Sequence, residues 1–104
     1  MTNQVVVTAQ MFVKPGHRDQ LLDALRQVMP PVQAEDGCIA FTLHEAPDGV
    51  LWFVEKWASR EQLDAHIAGT ASVAFQEAVR PHMDENPFWI LAPLLTDLGP
   101  KAVL

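Results

Sequence analysis

The order of its patterned segments is the feature that most limits how this chain can fold. Segments rich in β-branched and aromatic residues alternate with segments whose apolar residues recur at helical spacing. The predicted strands cover residues 4–13, 38–45, 50–58 and 87–91, and the predicted helices cover 17–29, 59–69 and 70–83. With the last two helical segments taken as one layer, the order is β-α-β-β-α-β.

This order predicts an α+β domain of the ferredoxin-like class, βαββαβ, in which a four-stranded antiparallel sheet carries its helices on one face. At 104 residues, the chain has the length of one typical domain. We therefore expect a single domain over residues 1–104, with a core at about 4–96 and a loose C-terminal tail.

The predicted strands are apolar on both of their faces. In the first strand, Val5 and Val7 point to one side and Val6 and Phe12 to the other. Because the helices cover one face of such a sheet, some other apolar surface must cover the second face. A second copy of the chain is the most economical cover. We therefore expect a homodimer packed sheet against sheet, as in a dimeric α+β barrel.

Two local signals set the predicted helix boundaries. Pro30 and Pro31 have no backbone N–H, so the first helix is expected to end near Met29 or to bend there. Ser59, followed three residues later by Gln62, matches a capping box and predicts the start of a new helix.

Composition excludes several classes of function. The formal net charge is −6, and the seven Lys and Arg residues are scattered singly, so no basic patch exists for nucleic acid. Cys38 is the only cysteine, which excludes an intrachain disulfide and a thiolate-rich metal site and suits the cytoplasm. The longest apolar run, residues 88–95, is too short to span a bilayer. We expect a cytoplasmic protein with no membrane or nucleic-acid partner.

The best candidate site lies at one strand-to-helix corner, where Glu55 and Trp57 end a strand and His66 follows on the next helix. Leu63, His66 and Ile67 are spaced to place the imidazole on the apolar, sheet-facing side. Either His66 is a core histidine bonded to a backbone carbonyl, or it lines a cavity and exchanges a proton with a ligand hydroxyl.

The other candidates near this corner also have two interpretations. Glu55 either forms a structural or dimer-interface salt bridge, which we favour, or faces the cavity with a raised pKa. Trp57 is core or pocket wall and can stack on an aromatic ligand. His82, beside Pro81, is a second pocket-edge candidate. The remaining histidines, His17 and His44, are expected to be solvated surface residues. The single cysteine is expected to be a small buried residue whose thiol has a pKa near the ordinary value.

Several of these residues belong to a longer pattern. It comprises a turn over residues 13–16, the run Glu35-Asp36-Gly37-Cys38, Glu55-x-Trp57, the pair Ala65-His66, and Phe75. In this order and spacing, the chain resembles the antibiotic biosynthesis monooxygenase-like family of dimeric α+β barrels. Its best-known members oxidise phenols and quinols without a cofactor.

The resemblance implies an oxidoreductase that oxidises quinol-like or polyphenolic molecules with O2 and needs no metal, flavin or haem. It implies His66 as the catalytic proton acceptor and Trp57, Glu55, Phe75 and His82 as substrate-binding residues. The residues of the haem-degrading branch are absent, and the chain has no tyrosine to match the polyketide-tailoring branch. Two alternatives stay open: an isomerase of a small hydroxyketone such as an autoinducer-type sugar, and a non-catalytic ligand-binding stress-response dimer.

Overall fold

The computed structural model describes residues 3–104, so Met1 and Thr2 of the predicted domain lie outside it. The strands are β1 Val5–Val13, β2 Cys38–Glu45, β3 Leu51–Trp57, β4 Met83–Glu85 and β5 Phe88–Leu91, and the helices are α1 Arg18–Gln33, α2 Arg60–Ile67 and α3 Thr70–Val79. A 3-10 turn at Arg80–His82 joins α3 to β4, and two more, Thr96–Leu98 and Pro100–Ala102, lie in the C-terminal tail. The predicted ferredoxin-like α+β fold is confirmed.

The sheet is antiparallel, in the order β2-β3-β1, and both β4 and β5 pair with the far edge of β1. The predicted last strand, residues 87–91, corresponds to β5. The prediction missed β4, which lies just before β5 along the same edge of β1 and makes the sheet five-stranded. The interruption between the two strands is at residues 86 and 87, where the Asn86 side chain donates to the Gln10 carbonyl at 2.6 Å. The Gln10 N–H in turn donates to the Pro87 carbonyl at 2.9 Å.

The ends of α1 and α3 compare differently with the prediction. Of the two outcomes expected for α1, an end near Met29 is wrong, because the helix continues through both prolines to Gln33. The proline rings are exposed, and Val32 in the extra turn is fully buried, so its burial offsets the lost backbone hydrogen bonds. Helix α3 ends at Val79 rather than at residue 83, since Pro81 has no N–H to continue the α-helical pattern.

The core lies between the helices and one face of the sheet. Alternate residues of β1 and β3 point into it, so buried and half-buried residues alternate along all of β3 and along β1 as far as Phe12. Trp57, Leu21 and Leu25 are almost completely buried there. Among residues 3–104, no helix is long and apolar enough to cross a membrane.

The opposite face of the sheet has no helical layer in the described part of the chain. Val6, Phe12 and Val54 on this face are half-buried. Trp52 stacks on Trp89 at a centroid distance of 6.3 Å, yet Trp89 remains 45% exposed. An apolar sheet face of this kind is what the homodimer prediction requires, and the homodimer stays a prediction.

Candidate functional site

A capped helix start builds the corner that holds the site. Strand β3 ends at Trp57, and Ser59 then accepts a hydrogen bond on its Oγ from the Gln62 N–H at 3.1 Å. This confirms the predicted N-terminal cap of α2. The cap sets the direction in which α2 leaves the sheet, and so brings His66, in the last turn of the helix, over the buried face of β3.

A cavity of about 400 Å³ lies between the sheet and the two helices α2 and α3. Most of its lining is apolar, including Val7, Phe41, Phe53, Leu63, Phe75 and Ile90. The polar residues of the lining are Glu55, His66, Ser72, Gln76 and Asn86. Within residues 3–104, no Lys or Arg belongs to the lining. The volume suits a small aromatic molecule, and the lack of a cation disfavours an anionic one.

His66 lines this cavity and is held on two sides. Its ring stacks on Trp57 at 4.5 Å between centroids, with 24° between the planes, and meets the edge of Phe41 at 6.3 Å. Its Nδ1 lies 2.6 Å from Oε2 of Glu35, which sits in the loop between α1 and β2. The partner is thus a carboxylate and not the backbone carbonyl that one interpretation expected.

The bond to Glu35 determines which nitrogen of His66 can serve a ligand. A carboxylate accepts hydrogen bonds, so we assign the proton of the neutral imidazole to Nδ1. Nε2 then carries the free lone pair. Every fully buried side-chain nitrogen or oxygen in the described chain has a hydrogen-bond partner. Because Nε2 of His66 has none, this atom cannot be fully buried and must be accessible. Because His66 lines the cavity, we infer that Nε2 faces it.

Glu55 lies on the central part of β3 and is only 9% exposed. Trp57 Nε1 donates to its Oε1 at 3.0 Å, and the residue lines the cavity. Burial raises the pKa of Glu55; the Trp57 hydrogen bond and His66 oppose this rise, and the Glu35 charge adds to it. Glu55 forms no ion pair within residues 3–104, so a salt bridge inside the chain is wrong, and the dimer-interface salt bridge stays a prediction. Glu55 instead faces the cavity, which was the alternative interpretation.

The remaining candidates divide between the cavity and other parts of the molecule. Phe75 lines the cavity, edge-on to Phe41 and Phe53. Trp57 is fully buried beneath His66 and does not reach the lining, so it supports the site instead of forming its wall. His82 also lies outside the lining.

His82 pairs instead with His17. Their Nδ1 atoms are 3.1 Å apart, because the 3-10 turn before β4 packs against the start of α1. His17 is therefore half-buried, and its prediction as a solvated residue is wrong. His44 is exposed, as predicted.

Cys38 begins β2 close to the two carboxylates of the site. Burial raises the pKa of its thiol, and the charges of Glu35 and Glu55 raise it further. The expectation of an ordinary pKa is wrong, and the thiol stays protonated at neutral pH. Among residues 3–104, no three His, Cys, Asp or Glu side chains are grouped to hold a metal ion.

Sequence reasoning did not assign a role to Glu35, Ser72, Gln76 or Asn86. Glu35 did appear in the pattern that carried the family resemblance, as the first residue of Glu35-Asp36-Gly37-Cys38. Its position just before a turn resembles a solvated loop carboxylate, and nothing local connects it with a histidine 31 residues later.

Comparison with known proteins gives matches along most of the chain. Residues 4–90 match the antibiotic biosynthesis monooxygenase family. Rv0793 of Mycobacterium tuberculosis is 39% identical over 67 residues, which cover 64% of this chain and 66% of that protein. Its structure superposes with a TM-score of 0.79 over 88% of this chain and 95% of that one, at 31% identity. The probable quinol monooxygenase YgiN of Escherichia coli is 29% identical over 86% of this chain and 97% of its own.

Proposed function

The chain belongs to the antibiotic biosynthesis monooxygenase family, and we propose that it oxidises quinol-like or polyphenolic molecules with O2, as a homodimer and without a cofactor. One observation carries the proposal: His66 lines a mostly apolar cavity, with Glu35 on its Nδ1 and no hydrogen-bond partner for its Nε2 in the described chain. That arrangement supplies a positioned base in a mostly apolar space, which is what oxidation of a phenol by O2 requires from the protein.

The relatives support a monooxygenase-type function, since YgiN carries the name of a quinol monooxygenase. The cavity supports a small aromatic substrate. Its volume of about 400 Å³ falls within the range of small-molecule sites, and Phe41, Phe53 and Phe75 offer aromatic surface to a planar ring.

The chemistry follows from the two nitrogens of His66. Nε2 takes the phenolic proton, and the Glu35 carboxylate stabilises the imidazolium that forms. The electron-rich phenolate then reduces O2 and forms a carbon–oxygen bond at the ring. The peroxide anion that results takes the proton back from the His66 imidazolium, which gives a hydroperoxide and frees Nε2 again. Loss of water from this hydroperoxide gives the quinone. The phenol thus loses its O–H and one ring C–H hydrogen, while one atom of O2 becomes a carbonyl and the other leaves in water.

The isomerase alternative is weaker at this site for a phosphorylated sugar. The described lining has no Lys or Arg to bind a phosphate, and the Glu35 carboxylate adds negative charge nearby. The non-catalytic alternative needs the same cavity but no free base. It therefore leaves the unpaired Nε2 of His66 without a role.

Oxygen uptake and isotope labelling test the proposal. Purified protein is mixed with a monocyclic or bicyclic phenol under ¹⁸O2, and uptake is compared with spontaneous oxidation without protein. We expect protein-dependent uptake of one O2 per product and one ¹⁸O atom in that product. Product formation without oxygen would favour an isomerase, and a ligand recovered unchanged would favour the non-catalytic alternative.

A further inference from the structure

We propose that Glu55 is the acid of this site, and that its Oε2 donates a proton to the oxygen that leaves as water. The inference rests on the proposed function and assigns the proton donor for the step in which the hydroperoxide loses water. When the O–O bond of the substrate hydroperoxide breaks, the ring C–H proton passes to His66 Nε2, and Glu55 protonates the departing hydroxide. The carbonyl and one water form, and Glu55 then recovers its proton from the His66 imidazolium.

The geometry separates the two oxygens of this carboxyl group. Oε1 accepts the hydrogen bond from Trp57 Nε1 at 3.0 Å, which holds the group in one orientation. Oε2 has no hydrogen-bond partner in the described chain, where every fully buried side-chain oxygen has one. Oε2 is therefore not fully buried and must be accessible. Because Glu55 lines the cavity, we infer that Oε2 faces the space in which a ligand would bind.

Trp57 places the two functional groups on one support. His66 stacks on the indole ring, and Glu55 bonds the indole nitrogen. Trp57 is itself fully buried and therefore fixed by packing. A base and an acid that share one rigid ring keep a constant relation to a ligand between them.

The surroundings favour a proton on Glu55. Helix α2 contributes His66 as the facing titratable group, the loop before β2 contributes the Glu35 carboxylate, and β2 contributes the Cys38 thiol. The cavity residues of α3, β1 and β5 are not titratable. Burial and the Glu35 charge raise the pKa of Glu55, while the Trp57 hydrogen bond and a charged His66 lower it. The described lining has no Lys or Arg, so no fixed positive charge in the cavity opposes the rise in the Glu55 pKa.

Glu55→Gln tests this role, because glutamine can accept the Trp57 bond and donate to a ligand but cannot transfer a proton. We expect anaerobic affinity for the phenol to stay within about threefold of wild type and turnover to fall about 10²-fold. A hydroperoxide, 32 Da heavier than the substrate by the mass of O2, should accumulate in quenched single-turnover samples. Glu61→Gln, at an exposed position on α2, is the matched control and should behave as wild type.

The wild-type pH profile gives a second test that does not depend on folding of the variant. An acid works only while protonated, so turnover should decline as the pH rises through the Glu55 pKa, and this decline should be absent from the residual activity of Glu55→Gln. Full turnover by Glu55→Gln, or an unchanged high-pH decline, would overturn the role of Glu55. Absence of oxygen uptake by wild type would instead overturn the proposed function.

Discussion

Replacing Glu35 with glutamine separates the chemical role of the His66 partner from its structural role. Glutamine has nearly the same size and keeps an oxygen that can accept from Nδ1, so packing is retained. It removes the charge that stabilises an imidazolium. Its amide can also turn and donate to Nδ1, which moves the imidazole proton to Nε2 and removes the lone pair that the cavity presents.

The size of each effect follows from the environment of the pair. The side chains of His66 and Glu35 are 11% and 23% exposed, so water shields their 2.6 Å contact only in part. A hydrogen bond to a charged group contributes about 1.5–3 kcal/mol and a neutral one about 0.5–1.5 kcal/mol, so we expect a loss of about 1 kcal/mol in unfolding free energy. Loss of the base should lower turnover about 10²-fold.

Denaturant unfolding and oxygen uptake on one preparation measure both quantities, and the ¹⁵N shifts of the imidazole report its tautomer. Asp36→Asn is the matched control, because it removes one exposed carboxylate from the adjacent position. It should change neither quantity. A Glu35→Gln variant with wild-type turnover and a large loss of stability would refute the argument, since Glu35 would then serve the fold alone.

Three further predictions concern the fold and its surroundings. Val54→Lys, on the open sheet face, should convert a dimer into monomers in sedimentation, and a wild-type monomer at micromolar concentration would contradict the homodimer. Gly37→Ala should lower the unfolding free energy by about 1–2 kcal/mol because φ is +82° there and the new Cβ would meet Gln62; an unchanged melting temperature would be the contrary result. Burial raises the pKa of Glu55, so the wild type loses stability as pH rises from the ordinary glutamate pKa through the raised one. Glu55→Gln should therefore gain stability relative to wild type as the pH rises above the ordinary glutamate pKa, as melting temperatures would show.

Local patterns predicted most of the secondary structure. The bounds of β2 agree with the prediction at both ends, and the Ser59 cap was visible in the capping box. The errors arose where tertiary contacts outweighed a local signal. Pro30 and Pro31 signal a helix end or a bend, and the helix does not end there because burial of Val32 stabilises one more turn.

The candidate site was predicted in part. Helical spacing placed His66 on the sheet-facing side, and the strand alternation placed Glu55 and Trp57 on one face of β3. The pairing of His66 with Glu35 could not be predicted from spacing, because a loop and a helix meet only in the folded chain. Whether Glu55 forms a salt bridge or faces the cavity depends on residues that are close to it only in the folded chain, so no local sequence pattern could decide between the two.

Oxygen uptake by His66→Gln, set beside wild type, tests the central claim most directly. Glutamine can keep a hydrogen bond to Glu35 and cover Trp57, but it cannot accept the phenolic proton. His44→Gln, at an exposed histidine, is the control. We predict that the rate above spontaneous oxidation falls about 10²-fold in His66→Gln and is unchanged in His44→Gln, with similar melting temperatures for all three proteins. An equal rate in His66→Gln and wild type would contradict the assignment of His66 as the proton acceptor.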